Sequence, residues 1–218
     1  MTGTVGLLET TGLTPAMVAI DTMLKAAAVH LLQLELNDLS GVCVKIAGTT
    51  ADVQTAIVAG ERVALQMQGQ PVSCVLTNVS ASAVPGIRSN PEFSPLIQQQ
   101  VVFEASPEQA AGGSADAAQN QSIIMNHENS MALGFIETQG FTAVFEAIDT
   151  ACKAASVEVI AKEKLGGGYV TIVIQGQLSA VSAAIDSGKE KVAGLGKLIA
   201  AHVIARPSEG VLKLLPKL

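Results

Sequence analysis

Two rhythms of apolar and polar residues run along this chain, and they change places in a fixed order. Leu13, Met17, Ile20, Leu24 and Ala27 recur at steps of three and four, the spacing of one helix face. Thr14-Pro15 predicts where that helix starts, with a hydroxyl to cap a free amide and a ring already fixed near the helical φ. Val42, Val44 and Ile46 alternate with Cys43, Lys45 and Ala47, the period of a half-buried strand. Val5 to Glu9 and Val29 to Leu36 read as further strands. Thr49-Thr50 opens a second helix running to about Gln68, with Val53, Ala56, Ile57 and Ala64 inward, and Val72 to Val79 is a fourth strand. The order is β-α-β-β-α-β, the split βαβ pattern of α+β, ferredoxin-like domains. Such a unit puts both helices on one face of an antiparallel sheet. The other face must be wetted or covered by something else.

The pattern occurs twice. GLLETTGLTPAMVAIDTMLKAA at Gly6 to Ala27 returns as GFIETQGFTAVFEAIDTACKAA at Gly134 to Ala155. Subtracting the starting points, 134 minus 6, sets the copies 128 residues apart with no gap. Val42, Val44 and Ile46 fall on Val170, Ile172 and Ile174, and Ala56-Ile57 on Ala184-Ile185. Repeats of this kind are structural units. The second unit is expected as strand Leu133 to Glu137, a helix from Phe141, strands Val157 to Glu163 and Tyr169 to Gln175, helix Leu178 to Gly194, and strand Leu198 to Ala205. Its first helix repeats the apolar face with Phe141, Phe145, Ile148, Cys152 and Ala155. A short amphipathic tail, Val211 to Leu218, follows. Gly60 and its copy Gly188 lie in mid-helix, where glycine costs about 1 kcal/mol relative to alanine. Their presence in both copies predicts a close backbone approach.

The domain division is therefore 1–98 and 132–218, joined by 99–131. Pro85 to Gln100 carries three prolines and a possible short helix, and Ser106 to Ser122 is rich in Ala, Gly, Ser, Gln and Asn. That stretch reads as a flexible connection, with a pore cover or a docking segment as the alternatives.

Composition narrows the partners. Apolar residues make up 49% and charged ones only 15%, so surface must be buried against other chains as well as inside this one. A net charge of −6 argues against nucleic acid, which attracts basic patches. No apolar run approaches the ~18 residues of a membrane span, and no signal peptide is evident. Cys43, Cys74 and Cys152 are far apart and read as buried, unpaired thiols of a reducing cytoplasm. They and His30, His127 and His202 lack paired-ligand spacing, so no metal is expected.

Catalytic patterns are missing. Lys164-Leu165-Gly166-Gly167-Gly168 lies between two strands, whereas a phosphate loop opens a helix. Glu9 and Glu137 could form a carboxylate pair, but the repeat explains them better. No spacing links Ser, His and Asp into a triad. No enzyme is expected.

The repeated residues resemble a known family. Gly134 to Gly140, the AIDTACKAA helix at Ala147 to Ala155, Lys164 to Gly168, Gly176, and His202 to Pro207 together closely resemble the bacterial microcompartment shell-protein domain. The likeness covers nearly all of the second unit and most of the first. It implies a tandem-domain shell protein: a homotrimer forming a pseudo-hexameric tile, tiles joined edge to edge with other shell proteins, and a central pore for small metabolites. It implies pore-lining roles for Lys164, Leu165, Gly166, Gly167 and Gly168, and for their counterparts Leu36, Asn37, Asp38, Leu39 and Ser40, which lack the lysine and the glycines. Asp38 would place three carboxylates near the opening, or it is a turn residue only. The resemblance also implies tile-edge contacts for Lys25, Lys153 and Arg206, with Asn78 in the place of Arg206 in the first unit. From position alone the lysines would read as solvated surface. Within the family the other reading is a trimer with a pore-bound iron–sulfur cluster held by a cysteine of the first loop. That loop has no cysteine here, since Cys43 lies in the following strand, so no cofactor is expected. Outside the family, the alternative is a soluble regulatory or small-ligand-binding protein.

Overall fold

The computed structural model describes residues 3–37, 40–104 and 131–215. The first unit has β1 (Thr4–Thr11), α1 (Leu13–Ala26), β2 (His30–Leu36), β3 (Gly41–Gly48), α2 (Thr50–Gln66) and β4 (Val72–Leu76). A short α3 (Val84–Ile87) and strands β5 (Phe93–Ser94), β6 (Gln99–Gln100) and β7 (Val102–Glu104) follow. The second unit has β8 (Ala132–Gln139), α4 (Phe141–Ala154), β9 (Glu158–Gly166), β10 (Tyr169–Gly176), α5 (Leu178–Glu190) and β11 (Lys197–Ile204), then α6 (Glu209–Leu214). The sheets run β4-β1-β3-β2-β7 and β11-β8-β10-β9. Their pairings are antiparallel, with Leu8 opposite Val44 in the first sheet and Ile136 opposite Ile172 in the second.

β7 pairs with β2, Leu34 opposite Phe103. Residues 99–104, counted with the connection in the sequence, are thus strands, and β7 extends the first sheet. The Ser106 to Ser122 stretch lies outside the described residues, as does the end of the C-terminal tail from 216. The helix starts differ in kind. Thr49 caps α2 by accepting from the Asp52 N–H. Thr14 does not cap α1, which begins at Leu13 behind Gly12 and takes no cap from its own first turn.

α1 and α4 are buried on different sides. In α4 the buried residues are the small ones, Ala143, Val144, Ala147 and Ala151, turned to its own sheet. Phe141 and Phe145, read from the periodicity as an inner face, are 43% and 48% exposed. Cys152 is exposed too, as is Cys74, while Cys43 is half-buried, so the expectation of buried thiols fails. The reason is visible in α1. Its equivalents Leu13 and Met17 are only 4% and 2% exposed. They share a core with Leu133, Phe135, Ala161, Leu165, Val173 and Ile204, on the outer face of the second sheet. The periodic face is therefore the one turned to a neighbouring domain, and the alanine face is the one turned to its own sheet. Burying a residue such as Phe135 there stabilises the junction by roughly 2–3 kcal/mol.

The mid-helix glycines mark helix crossings. A Cβ on Gly60 would lie 2.7 Å from Met23 Cγ of α1. One on Gly188 would lie 2.7 Å from Ile136 Cδ1 and 2.8 Å from the Ala147 carbonyl of α4.

Candidate functional site

The two domains meet head to tail, and the junction contains most of the sequence-predicted site. β9 turns into β10 through Gly167 and Gly168, at φ 57° and 81°. Both values are left-handed, the demand of a two-residue type I′ hairpin. In the first unit the turn between β2 and β3 is closed by Asn37. Its N–H donates to the Gly41 carbonyl, and its Oδ1 accepts from the Gly41 N–H at 2.8 Å. Asp38 and Leu39 lie outside the described residues.

These two loops are adjacent. The Ser40 hydroxyl points at the Gly166 carbonyl at 3.5 Å. Gln99 joins the same corner, donating to the Lys164 carbonyl at 2.6 Å and accepting from the Lys164 N–H at 3.0 Å. Of the proposed pore set, Asn37, Gly167 and Gly168 are exposed. Two members of the set need correcting: Ser40 is buried, only 4% exposed, and so is Leu165. Leu165 is completely buried in the core between the domains, because side chains alternate along β9 and its turn falls inward. It cannot line an opening.

Two of the proposed edge residues, Lys25 and Arg206, also meet at the junction. Lys25 donates to Asp21 on its own helix and to the Arg206 carbonyl of the second domain. Asp21 in turn accepts from the Ser208 N–H at 2.8 Å. The same helix in the second domain has only an exposed pair, Lys153 with Asp149. That bond is the main reason the Lys153 pKa is raised. Asn78, in the place of Arg206, stands just beyond β4 at φ 52°.

Sequence reasoning missed Glu137. It is fully buried in β8, and its carboxylate accepts from the N–H groups of Leu13 at 2.9 Å and Thr14 at 2.8 Å. A carboxylate from one domain thus caps the first helix of the other, where the amides and the helix dipole favour negative charge. Burial pushes its pKa up, and the two amides with the Thr14 and Thr171 hydroxyls work against that rise. The available signal was the repeated Glu three residues ahead of a Gly that opens a helix. Its partner, 124 residues away in sequence, could not be read.

Glu163 is a further buried acid at this junction, among Leu13, Met17, Leu34, Phe103 and Leu214. Burial raises its pKa to about 7. Its counterpart Glu35 is instead ion-paired with the buried Lys45 at 2.5 Å. Away from the junction, a cavity of about 280 Å³ opens on the first sheet between Val5, Leu32, Ala47, Val79, Val84 and Ile87. Its walls are mainly apolar, and it presents no nucleophile paired with a base. Among the described residues no group of three or more His, Cys, Asp or Glu is placed to hold a metal. No described helix is long and apolar enough to cross a membrane.

Comparison with known proteins follows the same division. The BMC-domain family model matches residues 4–79 and 132–207. The carboxysome assembly protein CcmO of Synechococcus elongatus is 31% identical over 216 residues, 99% of this chain and 69% of CcmO. The microcompartment shell protein PduA of Citrobacter freundii is 45% identical over 86 residues, 39% of this chain and 92% of PduA. A solved microcompartment protein of Desulfitobacterium hafniense aligns over 98% of this chain and 99% of its own, at 23% identity and a TM-score of 0.37. The chain belongs to the BMC-domain family of bacterial microcompartment shell proteins, and it holds two of the family's domains in tandem.

Proposed function

We propose that three copies of this chain close into a pseudo-hexameric tile of a cytoplasmic microcompartment shell, and that small metabolites pass through an opening at its centre. Tiles then join one another and other shell proteins edge to edge, with Lys25, Lys153, Asn78 and Arg206 near those edges. The chain acts as a wall and a passage and carries out no reaction. One observation supports this reading above the rest. The two domains pack head to tail, the first helix of one against the outer sheet face of the other, and each chain leaves the Phe141–Phe145 side of α4 and the strip of the first sheet around Glu9 exposed. Where its rotation brings the last copy back to the first, a contact of that kind repeats from chain to chain and closes into a ring. It also gathers Asn37, Ser40 and the Gly166–Gly168 turn at one corner of the chain, where copies around an axis would surround an opening. Native mass spectrometry tests the assembly. A trimer is expected at micromolar concentration, and a dominant monomer or dimer rules it out. Electron microscopy of the same material should show flat sheets or tubes of tiles.

A further inference from the structure

α1 and α4 are one helix present twice, yet among the described residues a carboxylate caps the amides of α1 and of α1 alone. Gly12, at φ 92°, brings the chain so close to Glu137 that an added Cβ would lie 3.1 Å from the carboxylate. Gly140 has the same kind of backbone, at φ 121°, and among the described residues no side chain caps the helix behind it. The nearest heavy atom to an added Cβ there is 3.7 Å away. Next along the helix Phe141 and Phe145 are exposed, their rings 5.9 Å apart. The complementary surface sits at the other end of the chain. Glu9, in the place of Glu137, is exposed, with half-buried Leu7 and Cys43 beside it on the sheet. Val72 is 68% exposed where its counterpart Ala200 is buried. These are the two separated halves of a junction that each chain already contains once in assembled form.

We propose that Glu9 of one protomer caps α4 of the next by accepting from the N–H groups of Phe141 and Thr142. This rests on the ring assembly proposed above and names the residue each copy supplies to its neighbour. Phe141 and Phe145 then lie on Leu7, Cys43 and Val72, as Leu13 and Met17 lie on the outer face of the second sheet. The surfaces are unlike, so the contact is heterologous and each chain gives Glu9 at one end while receiving a cap at the other. The Asn37 amide already donates to Glu9 Oε1 at 3.1 Å, which helps hold the exposed carboxylate in place. A free anion could satisfy the same amides, but it would leave both phenyl rings in water. A second copy of this chain covers both. Bonds from backbone N–H to a buried carboxylate are charge-assisted and stronger than neutral ones.

Amide exchange on the full chain tests this, with native mass spectrometry of the same samples. Leu13 and Thr14 are the internal reference, because their cap is within the chain. In the parent all four amides should exchange slowly. In Glu9→Ala, Phe141 and Thr142 should exchange roughly tenfold faster or more while Leu13 and Thr14 stay unchanged, and the trimer should dissociate at higher concentration, by roughly tenfold per seam. Glu9→Gln keeps an acceptor oxygen and should restore part of the protection. Glu9 is exposed in the single chain, so the variants should keep the parent's circular dichroism spectrum. A Glu9→Ala trimer as stable as the parent, with Phe141 and Thr142 equally protected, overturns the cap and leaves the ring assembly standing. A parent that stays monomeric overturns both.

Discussion

Val173 and Lys45 occupy the same place in the two sheets, and so do Ala161 and Gln33. On the second sheet the apolar pair lies under α1 of the first domain. On the first sheet the polar pair is held by the chain's own 84–104 segment. Gln33 exchanges two hydrogen bonds with the Ser89 backbone, at 2.7 and 3.1 Å, and Lys45 donates to Glu35 and to the Ile87 carbonyl. One outer face is closed by a domain and the other, in part, by a strap. The pattern of apolar and polar residues on an outer face thus depends on what covers it, and the duplicated fold is indifferent to which it is. Among the described residues, the strap leaves the strip around Leu7, Glu9 and Cys43 half-buried or exposed.

The largest effect should come from removing the anchor of the domain-covered face. Phe135→Ala empties a fully buried site and is expected to cost about 3–5 kcal/mol. Leu7→Ala, at the same place on the first sheet, should cost well under half of that in the single chain, because Leu7 is only half-buried there. Urea denaturation of both variants measures the difference. Equal losses would mean that the two faces are covered alike.

A pH-dependent effect comes next, from Glu163 and Glu35. The unfolded Glu163 ionises near the ordinary carboxyl value of 4.5, while the folded chain holds its proton up to about 7. Between those values the folded state binds more protons than the unfolded one, so stability falls as pH rises and levels off above 7. At 1.36 kcal/mol per unit the cost at pH 8 is roughly 3 kcal/mol. Glu163→Gln should therefore raise stability at pH 8 by up to that amount and change little near pH 4. Glu35→Gln should have the opposite sign at neutral pH, because it leaves the Lys45 ammonium, only 8% exposed, without its carboxylate. Thermal unfolding across pH 4 to 9 separates the two. A Glu163→Gln gain that is the same at pH 4 and pH 8 would remove the ionisation argument.

The fold was legible because its signals are local and occur twice. The period-two runs, the Thr49 cap and the order of elements all sit within one unit. Gly60 and Gly188 were recognised as points of close approach, although the sequence did not say that Met23 and Ile136 were the neighbours. The junction was not legible, for a physical reason. Leu13, Met17, Phe141 and Phe145 carry one pattern, but only the first two have a domain against them within the chain. Periodicity reports that a face is apolar and is silent on whether its cover lies in the same chain. The misreading of Cys152 as a core residue has the same origin. Glu137 and Leu165 were misjudged because their surroundings come from residues more than a hundred positions away.

The smallest effect separates the two lysines. Lys25 joins Asp21 to the Arg206 carbonyl across the domain junction, and its side chain is 48% exposed. Water screens such a contact, so Lys25→Ala should lower stability by only about 0.5 kcal/mol. Lys153 reaches only Asp149, and both are open to solvent. Lys153→Ala should leave the unfolding temperature of the chain unchanged. The two should differ again in assembly. If these lysines also face a neighbouring tile, each apolar stem packs at the edge while its ammonium reaches carbonyls across it. Lys153 has no junction contact to maintain and is the freer of the two for that purpose, so Lys153→Ala should weaken sheet formation and leave the trimer intact in native mass spectrometry. Lys25→Ala should weaken sheets less, because its ammonium is already engaged within the chain. Sheets from the double variant that match the parent's in extent and order would return both lysines to solvated surface, and the tile edge would have to be sought in other residues.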